Sequence, residues 1–139
     1  MKATELMIGD LVRYHSKLIK VTSLYAKPTE YGEFVSNEIG WSYSPNTWVD
    51  GDFIEPITLT PEILEKNGFE LRNGFFYHRI DDKPHHYDFK LKNGGVFASE
   101  GYTIGCGIYH LSIRYVHELQ HVLRLCGLNE FADNFKVEE

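Results

Sequence analysis

His117-Glu118-Leu119-Gln120-His121 sets two imidazoles four residues apart with a carboxylate between them. On a helix, positions four apart share a face, so both rings could grip one Zn²⁺ while the glutamate polarises a metal-bound water. His117 and His121 would then be the metal ligands and Glu118 the general base of a minimal zinc-dependent hydrolase. Three features weigh against this. Such a centre needs a third protein ligand, and after His121 the chain offers only Glu130, Asp133, Glu138 and Glu139. Arg114 and Arg124 stand three residues from the histidines, and guanidinium groups repel a divalent cation. At about 100° per residue, both histidines fall about 120–160° from the centre of the apolar stripe of Ile113, Val116, Leu119, Leu123 and Cys126. The expectation is a solvated polar face on which Glu118 pairs with Arg114, with no metal and no catalytic residue; the zinc hydrolase is the alternative.

Other chemistry-bearing residues are scattered. His85-His86 in a turn beside Pro84, His78 on the preceding strand and His110 before the helix could form a cluster from several segments, but they lack the spacing of a ligand set and read as surface histidines. No nucleophile elbow, phosphate loop or dinucleotide fingerprint occurs, and Gly101, Gly105 and Gly107 read as flexible backbone. Tyr25, Tyr31, Trp41, Tyr43 and Trp48 are candidates for lining a peptide or nucleobase groove, against the plainer expectation that they fill a small core. Cys106 and Cys126 lie outside any CxxC, which suits reduced thiols in a cytoplasmic setting, a single bridge being the alternative.

The elements that must position these residues divide at residue 57. Residues 1–57 carry short runs rich in Val, Ile, Leu and Tyr, at Leu11 to Tyr14, Leu18 to Tyr25, Phe34-Val35, Trp48-Val49 and Phe53-Ile54. Pro28, Gly32, Gly40, Pro45-Asn46 and Asp50-Gly51 punctuate them as turn formers, which suggests a small SH3-like β-barrel. Residues 58–139 read as helix, antiparallel β-meander and long C-terminal helix, either as a second subdomain or within one compact unit. Thr60-Pro61-Glu62 is a helix start and Asn67-Gly68 its stop. Asn73-Gly74 marks a tight hairpin between Phe69 to Leu71 and Phe75 to Ile80; Tyr87 to Leu91 and Val96 to Ala98 continue the meander. Tyr102 to Tyr109, weakened by glycine, reads as a loop. The long helix is expected over Ser112 to Cys126, with Ser112 as N-cap, Gly127 as stop, and Val116, Leu119 and Leu123 facing the core. The remainder should fold back loosely. The fold class is α+β.

Among 139 residues, 14 Lys and Arg against 20 Asp and Glu give a net charge of −6, which works against phosphate-backbone binding. Both parts net −3, so no basic arm or acidic tail stands out. The first ten residues carry Glu5 and Asp10 and do not read as a signal peptide, and no apolar run approaches the roughly 18 residues of a membrane helix. The expected partner is a protein, not nucleic acid or membrane.

Two resemblances add to this. The five residues HELQH resemble, locally, the zincin metallopeptidases. The blocks MKATELMIGDLVRY, DFIEPITLTPEILEKNGFE and IRYVHELQHVLRLCG resemble an uncharacterised family of short proteins of gut-bacterial, phage or conjugative-element genomes. In that family the late block resembles VHxLQN, so the likeness carries over His117 and not His121. It implies a cytoplasmic mobile-element accessory protein without an assigned activity.

Overall fold

Antiparallel pairing accounts for every strand of the computed structural model, which describes residues 5–28, 35–41, 44–50, 53–82, 85–93, 102–106 and 109–138. The first sheet contains β1 (Leu11–Tyr14), β2 (Lys17–Pro28), β3 (Val35–Trp41), β4 (Ser44–Asp50) and β5 (Ile54–Glu55), in the order β4-β3-β2-β1-β5. No ladder joins β4 to β5 among the described residues, so the sheet is open where a closed barrel was expected. The long β2 serves two partners: Lys17 to Lys20 pair with β1, and the part from Val21 to Pro28 pairs with β3 after a register shift between Val21 and Ser23. Gly40 and Pro45-Asn46, read as turns, lie inside β3 and β4. Gly40 faces Trp48 while Trp41 faces Ser44, so Pro45, Asn46 and Thr47 fall in a bulge, where a missing proline N–H breaks no ladder.

The turn chemistry of the following segment matches its structure. Thr60 is extended and its Oγ1 accepts the Ile63 N–H at 3.3 Å, capping α1 (Pro61–Lys66). Asn73 (φ 51°) and Gly74 (φ 82°) both adopt the left-handed region, as a two-residue hairpin turn requires, and join β6 (Glu70–Arg72) to β7 (Phe75–Asp82). With β8 (His85–Asn93), β9 (Tyr102–Cys106) and β10 (Tyr109–Ile113) these form the second sheet, ordered β10-β9-β8-β7-β6. The expected loop at Tyr102 to Tyr109 is thus two paired strands, in which Gly105 sits between Lys90 and His110. Val96 to Ala98 lies outside the described residues.

The long helix is shorter than expected. Ser112 belongs to β10, opposite Thr103, and α2 runs Val116–Leu125. The Glu118 carboxylate sets this boundary by reaching back to accept the Arg114 and Tyr115 N–H groups at 3.2 and 3.1 Å, where the helix has no backbone acceptors. After Gly127, α3 (Asn129–Asp133) turns back, and the tail is pinned, not loose. Asn67 donates to the Lys136 carbonyl and accepts its N–H, both at 2.7 Å, while Phe135 and Val137 are buried.

The larger apolar cluster joins Ile63 and Leu64 of α1, Phe76, Ile80, Phe89 and Leu91 of the second sheet, and Val116, Leu119 and Leu123 of α2. Leu11 also belongs to it. Its neighbour Val12 turns instead to a smaller cluster with Leu6, Ile19, Val21 and Ile54, because successive strand residues face opposite sides. Strand β1 is therefore buried on both faces, and the residues just before it lie against α2.

Candidate functional site

Burial of Val116, Leu119 and Leu123 fixes the rotation of α2, and its width decides what happens to the polar positions. Gln120 is fully buried, His117 is only 5% exposed and Glu118 and His121 are half-buried, so the face expected to be solvated is only partly so. It is covered by a turn preceding β1. Gly9 takes φ 96°, a left-handed conformation suited to glycine, and a Cβ there would lie 2.7 Å from Arg124 Nη2 and Asp133 Oδ1. The turn delivers Asp10, whose carboxylate is fully buried.

Three donors hold that carboxylate. Its Oδ2 accepts the Met7 N–H at 2.8 Å and lies 2.6 Å from His121 Nε2, while Oδ1 accepts from Arg124 Nη1 at 2.5 Å. Gln120 completes the junction: its Oε1 accepts the Leu11 N–H at 3.0 Å, and its Nε2 donates to the carbonyls of Gly9 (3.1 Å) and Ala132 (3.0 Å). A buried charge needs such partners, since an unpaired carboxylate or guanidinium in an apolar interior is strongly unfavourable. Arg124, expected to repel a metal, is instead the main counter-charge of Asp10. Arg124 Nη2 has no hydrogen-bond partner among the described residues and sits 3.6 Å from Asp133 Oδ1.

Beside this junction an open groove of about 770 Å³ runs between residues 5–7 and the start of α2, and Tyr115, His117, Glu118 and His121 line one side. The Tyr115 and His117 rings lie nearly parallel, with centroids 5.8 Å apart. His117 Nδ1 is buried without a partner among the described residues. Burial pushes the His117 pKa below its ordinary value; neighbouring His121 acts the same way, and Asp10, Glu118 and Glu5 oppose it. The ring is therefore neutral at pH 7.

The metal-site residues are brought together only in part. His117 and His121 are neighbours, with ring centroids 5.5 Å apart, but His121 Nε2 is engaged by Asp10 and Glu118 Oε1 by two backbone N–H groups. Glu118 meets the backbone of Arg114 and not, as expected, its side chain. Of the carboxylates named as third ligands, Asp133 faces Arg124 and Glu138 forms an ion pair with Arg13 at 2.7 Å. Among the described residues no three His, Cys, Asp or Glu side chains come together as a metal-binding group.

Of the other histidines, His78 is half-buried between Phe69 and Phe131, with ring centroids at 5.1 and 5.5 Å, and burial lowers its pKa. His85 and His86 belong to β8 and His110 to β10. Among the aromatic candidates, Tyr25 lies in β2 opposite Glu38, Trp41 ends β3, and Trp48 lies in β4 opposite Gly40; Tyr31 and Tyr43 lie outside the described residues.

A second feature was missed in the sequence. On the outer face of the second sheet Phe75 and Tyr77 line a shallow cleft of about 310 Å³ with Arg72, Asn73 and Lys90. Phe75 is 38% exposed, and Leu71 at the sheet edge 61%. The alternation in Phe75-Phe76-Tyr77, with Phe76 buried, was the available signal. No family model, curated protein or solved structure matches the chain, so function rests on this geometry.

Proposed function

We propose that this chain is a non-enzymatic module that binds a protein partner, serving as an accessory protein of a mobile element in the cytoplasm. One observation carries the reading: Phe75 remains exposed on the outer face of the second sheet, in a cleft that it lines with Tyr77. Large apolar side chains grouped beside polar ones are what protein docking sites use as anchors. The HELQH side chains, by contrast, are largely committed inside the molecule, to a helix cap and to the Asp10 junction. The net charge of −6 disfavours duplex nucleic acid as the partner. No helix among the described residues is long and apolar enough to cross a membrane. The proposal extends to the first sheet, read as an open relative of an SH3-like barrel: four strands in a meander, a shared long β2, and a fifth strand returning to β1.

The test is selection of displayed random peptides on the immobilised chain, followed by binding to the Phe75→Ser/Tyr77→Ser variant, both residues lining the cleft. Enriched peptides should bind the parent chain and lose the double variant. Enrichment that ignores both substitutions overturns the docking face. A zinc hydrolase on His117, Glu118 and His121 is the competing reading, favoured by the Asp10 carboxylate on His121, a support that metal-bound imidazoles commonly have. Untagged protein purified without added zinc decides between them. Stoichiometric zinc that disappears in His121→Asn favours the hydrolase, and well under one equivalent favours the binding module.

A further inference from the structure

We infer that the outer face of β6–β8 receives an acidic, extended segment of the partner, an assignment that rests on the protein-binding reading above. Strand register builds the face in rows: Arg72, Phe75 and Lys92 stand side by side, and Glu70, Tyr77 and Lys90 form the next row. Cations overlie both rings, with the Arg72 guanidinium 5.3 Å from the Tyr77 centroid and Lys92 Nζ 6.0 Å from that of Phe75. The acidic residues of the face are already engaged. Glu70 holds Arg72 at 2.6 Å, and Asp88 holds Arg79 and the Tyr77 hydroxyl, each at 2.8 Å. Lys90 and Lys92 form no ion pair among the described residues, so the face presents two uncompensated positive charges on a chain of net charge −6.

An apolar floor with cations at its margin matches a segment that carries carboxylates around an aromatic or aliphatic anchor, and Lys90 and Lys92 supply the local attraction that the net charge of the chain does not. The sheet edge favours a peptide over a nucleic acid. Arg72 and Phe75 flank the two-residue turn as a bonded pair, so Leu71, one position on and opposite Phe76, directs its N–H and C=O away from β7. An extended peptide backbone can take up those two groups, and a nucleotide strand has no matching pair.

The test uses the whole chain and fluorescence anisotropy with four labelled probes at about 0.15 M salt. Three are twelve-residue peptides sharing one aromatic and two aliphatic residues, made Glu-rich, Gln-rich or Lys-rich; the fourth is an oligothymidylate of equal length. The Glu-rich peptide should bind roughly tenfold tighter than the Gln-rich one, and the Lys-rich one should bind weakest. The preference should fall with added salt and vanish in Lys90→Glu/Lys92→Glu, two exposed substitutions, while Leu125→Ser on α2 leaves it intact. Equal affinity for all three peptides, or a preference that survives the double reversal, overturns the inference. So does oligothymidylate that binds as tightly as the Glu-rich peptide and competes with it. If all three peptides bind alike and Phe75→Ser/Tyr77→Ser abolishes them alike, the acidic class falls while the docking face stands.

Discussion

Replacing Asp10 by alanine tests the junction most directly. The substitution removes a fully buried carboxylate that bridges Arg124, His121 and the Met7 N–H. Among the described residues Arg124 then has as its nearest carboxylate Asp133, at 3.6 Å and half exposed, while Arg124 Nη2 already lacks a hydrogen bond there. Breaking one side of a buried pair typically costs about 3–5 kcal/mol, because the surviving charge stays desolvated. That loss lowers the folded-to-unfolded ratio between roughly a hundredfold and several-thousandfold. It also lowers the thermal midpoint by about 10–15 °C for a chain of this size. Asp133→Ala, at a half-exposed position, should cost within about 1 kcal/mol. Adding Arg124→Met to Asp10→Ala should recover about 1–3 kcal/mol, since the stranded charge goes too. The assay is urea unfolding at pH 7 followed by circular dichroism, comparing midpoints at unchanged slope. A cost below about 1 kcal/mol for Asp10→Ala, or a double variant as unstable as the two single losses added, refutes this account of the junction.

Gln120→Leu should destabilise by about 3 kcal/mol or more in the same assay, because the Leu11 N–H and the Gly9 and Ala132 carbonyls lose their buried partner. Glu118→Ala should cost about 1 kcal/mol by uncapping α2, and Glu118→Gln distinctly less, read as thermal midpoints; equal losses would count against the capping role. Burial lowers the pKa of both His117 and His78 below their ordinary 6.5, so the unfolded chain takes up these protons first as pH falls. Their contribution to stability is therefore present above about pH 6.5 and lost as pH drops through the folded values. Urea midpoints from pH 7.5 to 5 should fall less steeply in His117→Gln and in His78→Leu than in the parent chain, and identical slopes would contradict the burial effect.

Local chemistry was legible in the sequence wherever a few neighbouring residues decide the backbone. Thr60-Pro61 and Asn67-Gly68 bound α1, Asn73-Gly74 turns the hairpin, and Leu119 and Leu123 face the core. The start of α2 was misread because Ser112 is a good cap by type, whereas pairing with Thr103 and the back-reaching Glu118 carboxylate hold the boundary at Tyr115. The polar face of α2 was misread for a different reason. Helical periodicity ranks residues by their own polarity, but whether Gln120 and His121 meet water depends on Asp10 and Leu11, more than a hundred residues earlier. Open sheet against closed barrel was equally hidden, because it depends on whether the two edge strands pair.

The separation between Gly9-Asp10-Leu11 and their partners on α2 bears on how the chain matures during synthesis. Strands β1 and β2 emerge from the ribosome early and can pair at once, being a local hairpin. The side chains that satisfy the buried Asp10 carboxylate and the Leu11 N–H are translated 109–114 residues later. At roughly 5–20 residues per second the early hairpin waits several seconds or more with its inner face uncovered. During that interval Leu11 and the Gly9 turn are exposed to competing contacts, including a chaperone or the same segment of another nascent chain. Closure by Gln120 and Arg124 is then a late long-range step, and a ribosome stalled before α2 should carry an N-terminal hairpin that proteases still recognise.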